Sequence, residues 1–206
     1  MVDTRAQWES LAPEWDRARR RAWPEVARFA GSFAPGARVL DLAAGNGRHG
    51  VLAAKDGASV VAADFSRSLL SFARERGLVV AQADARELPF RDASFDGGLF
   101  IAALHCIPSR TGRLGALAEM RRVLKPGAPA LVTVWSRFRG SGFRGALTSD
   151  GDVPWGDVAR YYHFYSPTEL VTDCRSTGWS EVALSGERLS SSAKWLPDNW
   201  FVRMRA

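Results

Sequence analysis

Three acidic side chains stand where predicted buried strands end, and the first of them precedes a glycine-rich turn. Asp41 lies in an apolar run over residues 39–42, and a G-x-G-x-x-G spacing follows over residues 45–50. Asp64 and Asp84 end the next two apolar runs. A strand, a glycine turn and a helix let backbone approach a cofactor closely, and nearby carboxylates can accept from its hydroxyl and amino groups. The pattern indicates a cofactor site, although the glycine spacing alone is a weak signal.

The charge of Asp41 bears on which cofactor binds. A nicotinamide dinucleotide places its pyrophosphate at the helix N-terminus, and its first strand usually runs apolar into the turn. An acid there suits a cofactor with a cationic end, and S-adenosylmethionine has an α-amino group, a sulfonium and no phosphate. Asp64 can accept both ribose hydroxyls in either class. Asp84 has no standard role with nicotinamide but can accept from an adenine amino group, so S-adenosylmethionine is favoured and nicotinamide is the weaker alternative.

Alternating strands and helices must position these side chains. Apolar runs predict strands over residues 38–42, 58–63, 78–82, 95–102 and 130–135. Helices are predicted between them over 51–55, from the cap Ser66 to about Arg76, and over 110–124. This alternation predicts an α/β fold with a mostly parallel sheet and helices on both faces. Because ligands lie beyond the carboxyl ends of such strands, the three acids and His105 should converge on one rim.

The flanks of this core carry weaker signals. Pro13 should limit any continuous helix over residues 6–18, and Pro24 should start a helix to about residue 32. The glycine-rich stretch 136–158 predicts a long excursion or lid. After it, Ser166 and Pro167 predict a helix to about residue 177. Two last strands are predicted over 179–184 and 199–204, with an antiparallel C-terminal strand.

Length and composition bound the class of protein. The 206 residues with 46% hydrophobic content suit one domain over 1–206. We divide it into a substrate-side segment (1–35), a cofactor-binding core (36–135), an excursion near the substrate (136–165) and the C-terminal part of the sheet (166–206). No apolar stretch approaches the ~20 residues that span a bilayer, and the first residues lack a signal-peptide pattern, so a cytoplasmic location is expected. Cys106 and Cys174 are too few for a disulfide framework or an ordinary zinc site.

The net charge is +6, and only Lys55, Lys125 and Lys194 among the basic residues are lysines. Arginine binds phosphate and carboxylate bidentately and stacks on bases. A basic balance favours a polyanionic partner such as nucleic acid. A GC-rich genome would also favour arginine codons. Charge alone therefore does not distinguish a polyanionic partner from codon bias.

A series of motifs over residues 36–135 resembles class I S-adenosylmethionine-dependent methyltransferases. The series is Asp41-x-x-x-Gly45-x-Gly47, Asp64, Ala83-Asp84-Ala85, Leu88-Pro89-Phe90, Ser94-Phe95-Asp96 and Arg122-Val123-Leu124-Lys125-Pro126-Gly127. It departs from the family at Ala43-Ala44, where members often have Gly-Cys or Gly-Ser. The resemblance implies a single Rossmann-like domain that uses S-adenosylmethionine and releases S-adenosylhomocysteine. It implies cofactor contacts from Asp41, Ala43, Gly45, Gly47, Asp64, Phe65, Asp84, Ala85 and Ile101.

Motifs outside that core are similar to one subfamily, the tRNA wobble-uridine carboxymethyl methyltransferases. They occupy residues 19–24, 101–105, 132–135, 153–155, 160–164 with 169–170, and 198–200. Members esterify 5-carboxymethyluridine at the first anticodon position, commonly with a small zinc-binding activator protein that covers an apolar sheet edge. The resemblance implies the tRNA anticodon loop as substrate and such an activator as partner. Cys106 departs from the second histidine that is usual after His105.

The acceptor would then be a carboxylate, which is anionic at neutral pH and needs no general base. His105, at the fourth strand end, is the best placed donor to one of its oxygens. By resemblance we expect catalytic roles for His105, Arg19, Arg160 and Tyr162. We expect substrate-binding roles for Arg21, Trp23, Trp135 and His163, with Trp23 stacking on a base.

Two other functions stay open from the sequence. One is methyl transfer to a small carboxylic acid or phenol, and the other is a non-catalytic, cofactor-binding partner of RNA. Each residue also has a structural alternative: His105 as a buried neutral histidine, the basic run as a solvated face, and the 160–165 cluster as core aromatics with satisfied polar tips.

Overall fold

The computed structural model of the chain describes residues 4–138, 149–156, 158–187 and 197–206. Of the glycine-rich stretch 136–158 predicted to be an excursion, residues 139–148 and 157 lie outside the described residues. All statements about structure below refer to the described ranges.

Nine strands are found in the described residues, and seven of them form the central sheet. In chain order the strands are β1 (Arg38–Leu42), β2 (Ser59–Asp64), β3 (Val79–Gln82), β4 (Gly97–Ile101), β5 (Pro129–Trp135), β6 (Asp150–Trp155), β7 (Val158–His163), β8 (Ser180–Glu187) and β9 (Asn199–Arg205). The sheet order is β3-β2-β1-β4-β5-β9-β8, with β1 to β5 parallel and β9 antiparallel to both neighbours. The predicted α/β fold with a mostly parallel sheet and an antiparallel C-terminal strand is confirmed.

Three of the six helices in the described residues begin after a serine whose side chain caps them. The six helices are α1 (Thr4–Ala18), α2 (Pro24–Ala30), α3 (Gly50–Lys55), α4 (Arg67–Glu75), α5 (Arg110–Val123) and α6 (Pro167–Ser176), with a 3₁₀ turn over Leu104–Cys106. Ser66 and Ser166 cap α4 and α6 by accepting from the backbone N–H groups of Leu69 and Glu169. Pro24 occupies the first turn of α2. The predictions from Pro24, Ser66 and Ser166 are confirmed.

The prediction that Pro13 limits helix α1 is wrong, because α1 runs through it from Thr4 to Ala18. An internal proline removes one hydrogen bond and costs ~3 kcal/mol or more. The helix bears that cost because one face is buried against the rest of the molecule. Trp8, Leu11 and Ala12 are all buried, and Trp8 and Ala12 pack with Leu69 of α4. Tertiary packing therefore overrides the local signal.

The stretch after Trp135 contains a hairpin that the sequence did not predict. Strands β6 and β7 pair antiparallel, with Asp150 opposite His163 and Val153 opposite Arg160. The residues of β6, with two aspartates, a glycine and a proline in six positions, have low strand propensity. Pairing with the aromatic strand β7 decides its conformation, which no local pattern in β6 reveals.

Helices cover both faces of the sheet, as predicted. Neighbouring residues on a strand point to opposite faces, so Val39 and Leu40 enter different clusters. One cluster joins the sheet to α5 and α6 through Leu117, Met120 and Leu170. The other joins it to α2, α3 and α4 through Val26, Phe29, Ala53 and Ala73. No described helix is both long and apolar enough to cross a membrane.

Candidate active site

The glycine-rich loop after β1 has a backbone that only small residues permit. Ala43, Gly45 and Gly47 have φ angles of 51°, 57° and 76°, in the left-handed region that favours glycine. A Cβ on Gly47 would lie 2.8 Å from Leu78 Cδ1, and one on Gly50 would lie 2.8 Å from Asp41 Oδ2. Glycines 47 and 50 are therefore required by packing beneath the loop. A Cβ on Gly45 would meet only Trp15 Nε1, at 3.9 Å, so the loop is open to a ligand at that point.

Asp41 is buried beneath the loop. It is 1% exposed, and its Oδ2 has no hydrogen-bond partner among the described residues. Burial raises the pKa of this carboxyl to about 7, and the nearby Asp64 adds to the rise. A cationic group beside Asp41 would compensate its buried charge.

Asp64 ends strand β2 next to the same loop. Its Oδ2 accepts from Gly45 N at 2.9 Å, and its Oδ1 accepts from Ser66 N at 2.9 Å. Burial raises its pKa to about 6, against the opposing effect of these backbone hydrogen bonds. The carboxylate thus fixes the loop to the end of β2 and presents acceptor lone pairs at the rim.

Asp84 follows β3 but is engaged by a neighbour. Arg86 Nε and Nη2 donate to its two oxygens at 2.9 and 2.6 Å, and hydrogen bonding from Arg86 is the main cause that lowers the pKa of Asp84. An adenine amino group would share this acid with Arg86. Of the other expected cofactor residues, Ala85 and Phe65 are half-buried and Ile101 is buried at the end of β4.

The residues around the loop fit S-adenosylmethionine. The unpartnered, buried Oδ2 of Asp41 matches a cofactor with a cationic end, and the open backbone at Gly45 allows close approach. Asp64 stands where a ribose would lie in such a sheet. S-adenosylmethionine carries no phosphate, so it would bring no negative charge next to these acids.

A cavity of about 490 Å³ opens beside the loop. Five of its twelve lining residues are arginines and none is acidic; the lining is Trp15, Arg17, Ala18, Arg19, Arg20, Arg21, Ala22, Trp23, Arg48, Ala102, Trp135 and Tyr162. Five of the residues expected to bind or act on the acceptor (Arg19, Arg21, Trp23, Trp135 and Tyr162) are therefore brought together here. The cavity is suited to an anion with a planar group attached.

His105 lies in an aromatic stack at the end of β4. Its ring centroid is 5.3 Å from those of Trp135 and Tyr162, and the latter two stack at 4.2 Å with planes 8° apart. Trp135 N donates to His105 Nδ1 at 3.3 Å, so a neutral imidazole carries its proton on Nε2. His105 is fully buried beneath the wall of the cavity that Trp135 and Tyr162 form.

Arg160 is a buried cation surrounded by rings. It is 3% exposed, and its guanidinium carbon lies 5.1–5.4 Å from the ring centroids of Trp8, Trp15, Trp155 and Tyr162. Its Nε and Nη1 have no hydrogen-bond partner among the described residues. Cation–π contacts thus compensate the buried positive charge of Arg160 in place of a carboxylate. It lies behind Trp15 and Tyr162 of the cavity wall rather than on the surface of the cavity.

Arg48 is a cavity residue that sequence reasoning missed. Its guanidinium lies 5.8 Å from the ring centroid of Trp23, and its Nη1 donates to Arg21 O at 3.4 Å. Burial lowers its pKa to about 10, and repulsion from Arg19 contributes. Its position inside the G-x-G-x-x-G loop was the available signal, since a charged side chain there must leave the loop on the cavity side.

His163 is the expected substrate residue that the structure places away from the cavity. Its Nδ1 lies 2.7 Å from Asp150 Oδ1 and its Nε2 lies 2.6 Å from Glu169 Oε1. The side chain is 3% exposed. It joins the β6–β7 hairpin to the first turn of α6, and no contact with the cavity lining is seen among the described residues.

The sequence is similar to methyltransferases. Residues 39–127 match the family model of a methyltransferase domain. A tRNA (carboxymethyluridine(34)-5-O)-methyltransferase of Arabidopsis thaliana is 34% identical over 129 residues, which are 63% of this chain and 31% of that protein. A putative methyltransferase of Encephalitozoon cuniculi is 35% identical over 182 residues, which are 84% of each chain. The chain spans about a third of the length of the Arabidopsis relative.

Solved structures share the fold at low sequence identity. A S-adenosylmethionine-dependent methyltransferase from Methanosarcina mazei superposes with a TM-score of 0.74 at 18% identity, covering 90% of this chain and 98% of that one. A putative methyltransferase in complex with the Haloferax volcanii Trm112 methyltransferase activator superposes with a TM-score of 0.73 at 18% identity, covering 99% of this chain and 97% of that one.

Proposed function

This chain belongs to the family of S-adenosylmethionine-dependent methyltransferases, and we propose that it methylates the carboxylate of 5-carboxymethyluridine at the wobble position of tRNA. The observation that carries the proposal is the cavity beside the glycine loop, with five arginines, four aromatic side chains and no acid in its lining. Such a lining attracts an anion and repels cationic acceptors. Aromatic side chains at the same wall provide stacking for a nucleobase.

The proposed reaction needs no general base from the protein. The bound cofactor supplies an electrophilic methyl group. Because the acceptor carboxylate is already ionised, the side chains need only hold one oxygen in line and keep competing water out. In this proposal Asp41 and Asp64 hold the cofactor, with contacts from Ala43, Gly45, Gly47, Phe65, Asp84, Ala85 and Ile101.

On the acceptor side, His105 lies beneath Trp135 and Tyr162 and positions this wall of the cavity, against which the acceptor carboxylate is held with one oxygen free to attack. Arg19 lines the cavity, with its guanidinium 5.2 and 5.1 Å from the rings of Trp15 and Trp155. These cation–π contacts hold it at a fixed angle, so it acts as a moderate donor instead of a free bidentate clamp. Tyr162 forms part of this wall, and Arg160 supports it from behind.

Two observations favour tRNA over other acceptors. Arg17, Arg20 and Arg21 are exposed at the mouth of the cavity, where a nucleic-acid backbone would pass. The Arabidopsis relative is named for the same modification, and a human relative is named a probable tRNA methyltransferase. Trp23, a half-buried residue of the cavity lining, is the side chain that we propose stacks on a base.

A nucleoside assay tests the proposal. The protein is incubated with cofactor and carboxymethyluridine-bearing tRNA, with and without a small zinc-binding activator, and digested nucleosides are measured by mass spectrometry. We expect the methyl ester to appear, and its rate to fall at least tenfold in His105→Ala. Arg91→Gln, on an exposed loop at the opposite rim, is the matched control and should retain the rate. Absence of the ester in the presence of activator and bound cofactor would contradict the proposal.

A small carboxylic acid or phenol is the second candidate acceptor, because a cavity of about 490 Å³ is large enough for one. The pH profile at saturating cofactor separates the chemistries. Transfer to a carboxylate should be flat from pH 7 to 9, whereas transfer to a phenol should rise as the phenol ionises. Turnover of small acceptors without any binding of tRNA would favour this alternative.

The partner that we propose is a small zinc-binding activator on the β3 edge of the sheet. Val79 on this edge strand is 64% exposed and is the one large hydrophobic side chain so exposed in the described parts of the chain. One solved structure with the same fold is a complex with the Haloferax volcanii Trm112 methyltransferase activator. Val79→Lys should abolish co-purification with the activator, whereas Ala183→Lys on the opposite edge strand β8 should not. Equal binding by both variants would place the partner elsewhere.

A further inference from the structure

Asn46, between the two central glycines of the loop, connects the cofactor side of the site to the acceptor side. It is 1% exposed. Its Nδ2 donates to Asp16 Oδ1 at 2.8 Å and to the backbone oxygen of Arg19 at 2.9 Å. Its Oδ1 accepts from Arg48 N at 3.3 Å. Both amide hydrogens are donated to groups at the end of α1, so the side chain forms a specific bridge between the loop and that helix.

The residues at the far side of this bridge line the acceptor cavity. Arg19 and Arg48 are both among its lining residues. Burial lowers the pKa of Arg48, repulsion from Arg19 adds to the decrease, and the buried Asp41 acts in the opposite direction. Asn46 fixes the backbone of Arg19 by donating to its carbonyl oxygen, and it fixes the backbone of Arg48 by accepting from its N–H.

The near side of the bridge belongs to the cofactor loop. Gly45 and Gly47 flank Asn46 and have left-handed φ angles, and Gly45 N donates to Asp64 at the end of β2. A ligand that orders this loop therefore also orders the amide of Asn46. The end of α1 has a second anchor, since Arg76 Nη2 donates to Asp16 Oδ1 at 2.6 Å from helix α4.

We propose that Asn46 is a positioning residue that couples cofactor binding to the placement of Arg19 and Arg48, so that cofactor and acceptor bind cooperatively. Coupling of this kind is reciprocal, because a loop held by one ligand presents the arginines to the other. Replacing the amide by the isosteric carboxylate would put an acceptor oxygen in place of the donor Nδ2, facing both the Asp16 carboxylate and the Arg19 carbonyl. The part of this proposal that concerns the acceptor rests on the proposed function, whereas the coupling of loop to α1 does not.

Hydrogen exchange with S-adenosylhomocysteine as the probe tests the coupling without any acceptor. In the wild-type protein we expect the ligand to slow amide exchange over residues 8–21 at least threefold. In Asn46→Ala the ligand should still slow exchange in the glycine loop and in β2, but not over residues 8–21. Arg76→Gln is the matched control, because it loosens α1 from the α4 side and leaves the bridge intact. It should raise exchange of α1 in the free protein and retain the ligand-dependent change.

Kinetics on the active acceptor provide the second readout. Asn46→Ala should raise the acceptor KM about tenfold at saturating cofactor with kcat changed less than threefold, and Asn46→Asp should raise it further. Ligand-dependent protection of residues 8–21 that is equal in Asn46→Ala and wild type, or that is absent from wild type, would overturn the proposal. Because exchange is measured without tRNA, that result is distinguishable from failure of the tRNA proposal. A variant that no longer binds S-adenosylhomocysteine would also count against it, since the bridge would then build the cofactor site itself.

Discussion

At the scale of single residues, two buried acids of the proposed cofactor site should make cofactor binding sensitive to pH. Burial is the main cause that raises the pKa of Asp41 to about 7 and the pKa of Asp64 to about 6. A cation bound next to them favours their ionised forms. The ligand-free protein holds Asp41 near the point at which it takes up a proton.

We therefore expect the affinity for S-adenosylhomocysteine to decrease about tenfold between pH 8 and pH 5.5, because protonated Asp41 no longer attracts the amino group. Titration calorimetry at several pH values measures this decrease and the proton released on binding. Asp41→Asn should bind weakly at pH 8 and lose the pH dependence attributable to this group. Glu14→Gln, an exposed acid of α1, is the control. A wild-type affinity that stays constant over this range would show that Asp41 does not face the cofactor's charge.

The same pKa shift has a consequence for stability. An acid whose pKa is raised on folding binds its proton more tightly in the folded state, so its contribution to stability decreases as pH rises from about 4 to about 7. Asp41→Asn should therefore stabilise the ligand-free protein at pH 8 by roughly 1–3 kcal/mol and have little effect at pH 4. Thermal unfolding at the two pH values measures this difference. Destabilisation of Asp41→Asn at pH 8 would contradict the burial argument.

At the scale of elements, the glycine loop is set by packing beneath it as well as by its φ angles. Gly36 and Gly47 both have left-handed φ angles, 81° and 76°. A Cβ at Gly36 would meet nothing within 4 Å, whereas one at Gly47 would press on Leu78 and Ala73. The two positions separate backbone strain from steric overlap.

Gly36→Ala should cost about 1 kcal/mol for the left-handed conformation alone. Gly47→Ala should cost about 2–4 kcal/mol, since overpacking adds to the same strain. Urea denaturation of both variants gives the two free energies of unfolding. Equal costs would mean that Ala73 and Leu78 move aside freely and that packing does not constrain the loop.

Helix α1 is attached to the start of α4 by one carboxylate. Glu9 Oε1 accepts from Arg67 N at 2.7 Å and Oε2 accepts from Ser68 N at 2.9 Å. Burial acts against ionisation of Glu9, but hydrogen bonds from Ser68 and Arg67 outweigh it and lower its pKa to about 2. An acid with a lowered pKa stabilises the fold above its unfolded pKa, and that stability is lost as pH falls from about 4.5 toward 2.

Glu9→Ala should therefore cost about 1 kcal/mol at pH 7, as for the loss of a helix cap, and should speed hydrogen exchange of α1. Its destabilisation should shrink when unfolding is measured near pH 3. Glu14→Ala removes an exposed acid from the same helix and should cost less than about 0.5 kcal/mol. Similar costs for Glu9→Ala and Glu14→Ala would show that the contact with α4 does not hold α1 in place.

At the scale of the whole molecule, positive charge is concentrated at the carboxyl rim of the sheet. The chain carries a net +6, and five arginines line one cavity there. Exposed charge at such a mouth acts on a polyanion by releasing counterions. Binding of tRNA should accordingly weaken steeply with salt.

Arg17→Gln and Arg20→Gln should each reduce the slope of log affinity against log salt by about 1, with similar effects on all tRNA sequences. Filter binding or fluorescence anisotropy at several salt concentrations measures the slope. Arg91→Gln, at the opposite rim, should leave it unchanged. If all three variants lower the slope alike, then tRNA contacts the molecule through net charge and not through this mouth.

The sequence by itself determined the positions of the parallel strands and of the helices between them. Strand and helix predictions from β1 to β5 agree with the structure to within about two residues, because each is a short apolar run ending at a polar side chain or a helix with its own cap. Local chemistry is enough for such elements. The convergence of Asp41, Asp64 and Asp84 on one rim follows from parallel strands alone.

Only the tertiary structure decided the rest. Helix α1 continues through Pro13, and strand β6 forms without strand propensity, since in both cases distant partners outweigh local preference. The same holds within the site. His163 faces Asp150 and Glu169, and Asn46 reaches back to α1. Which polar groups meet depends on the free energy of pairing buried charges across the whole fold, and that quantity has no signature in the spacing of residues along the chain.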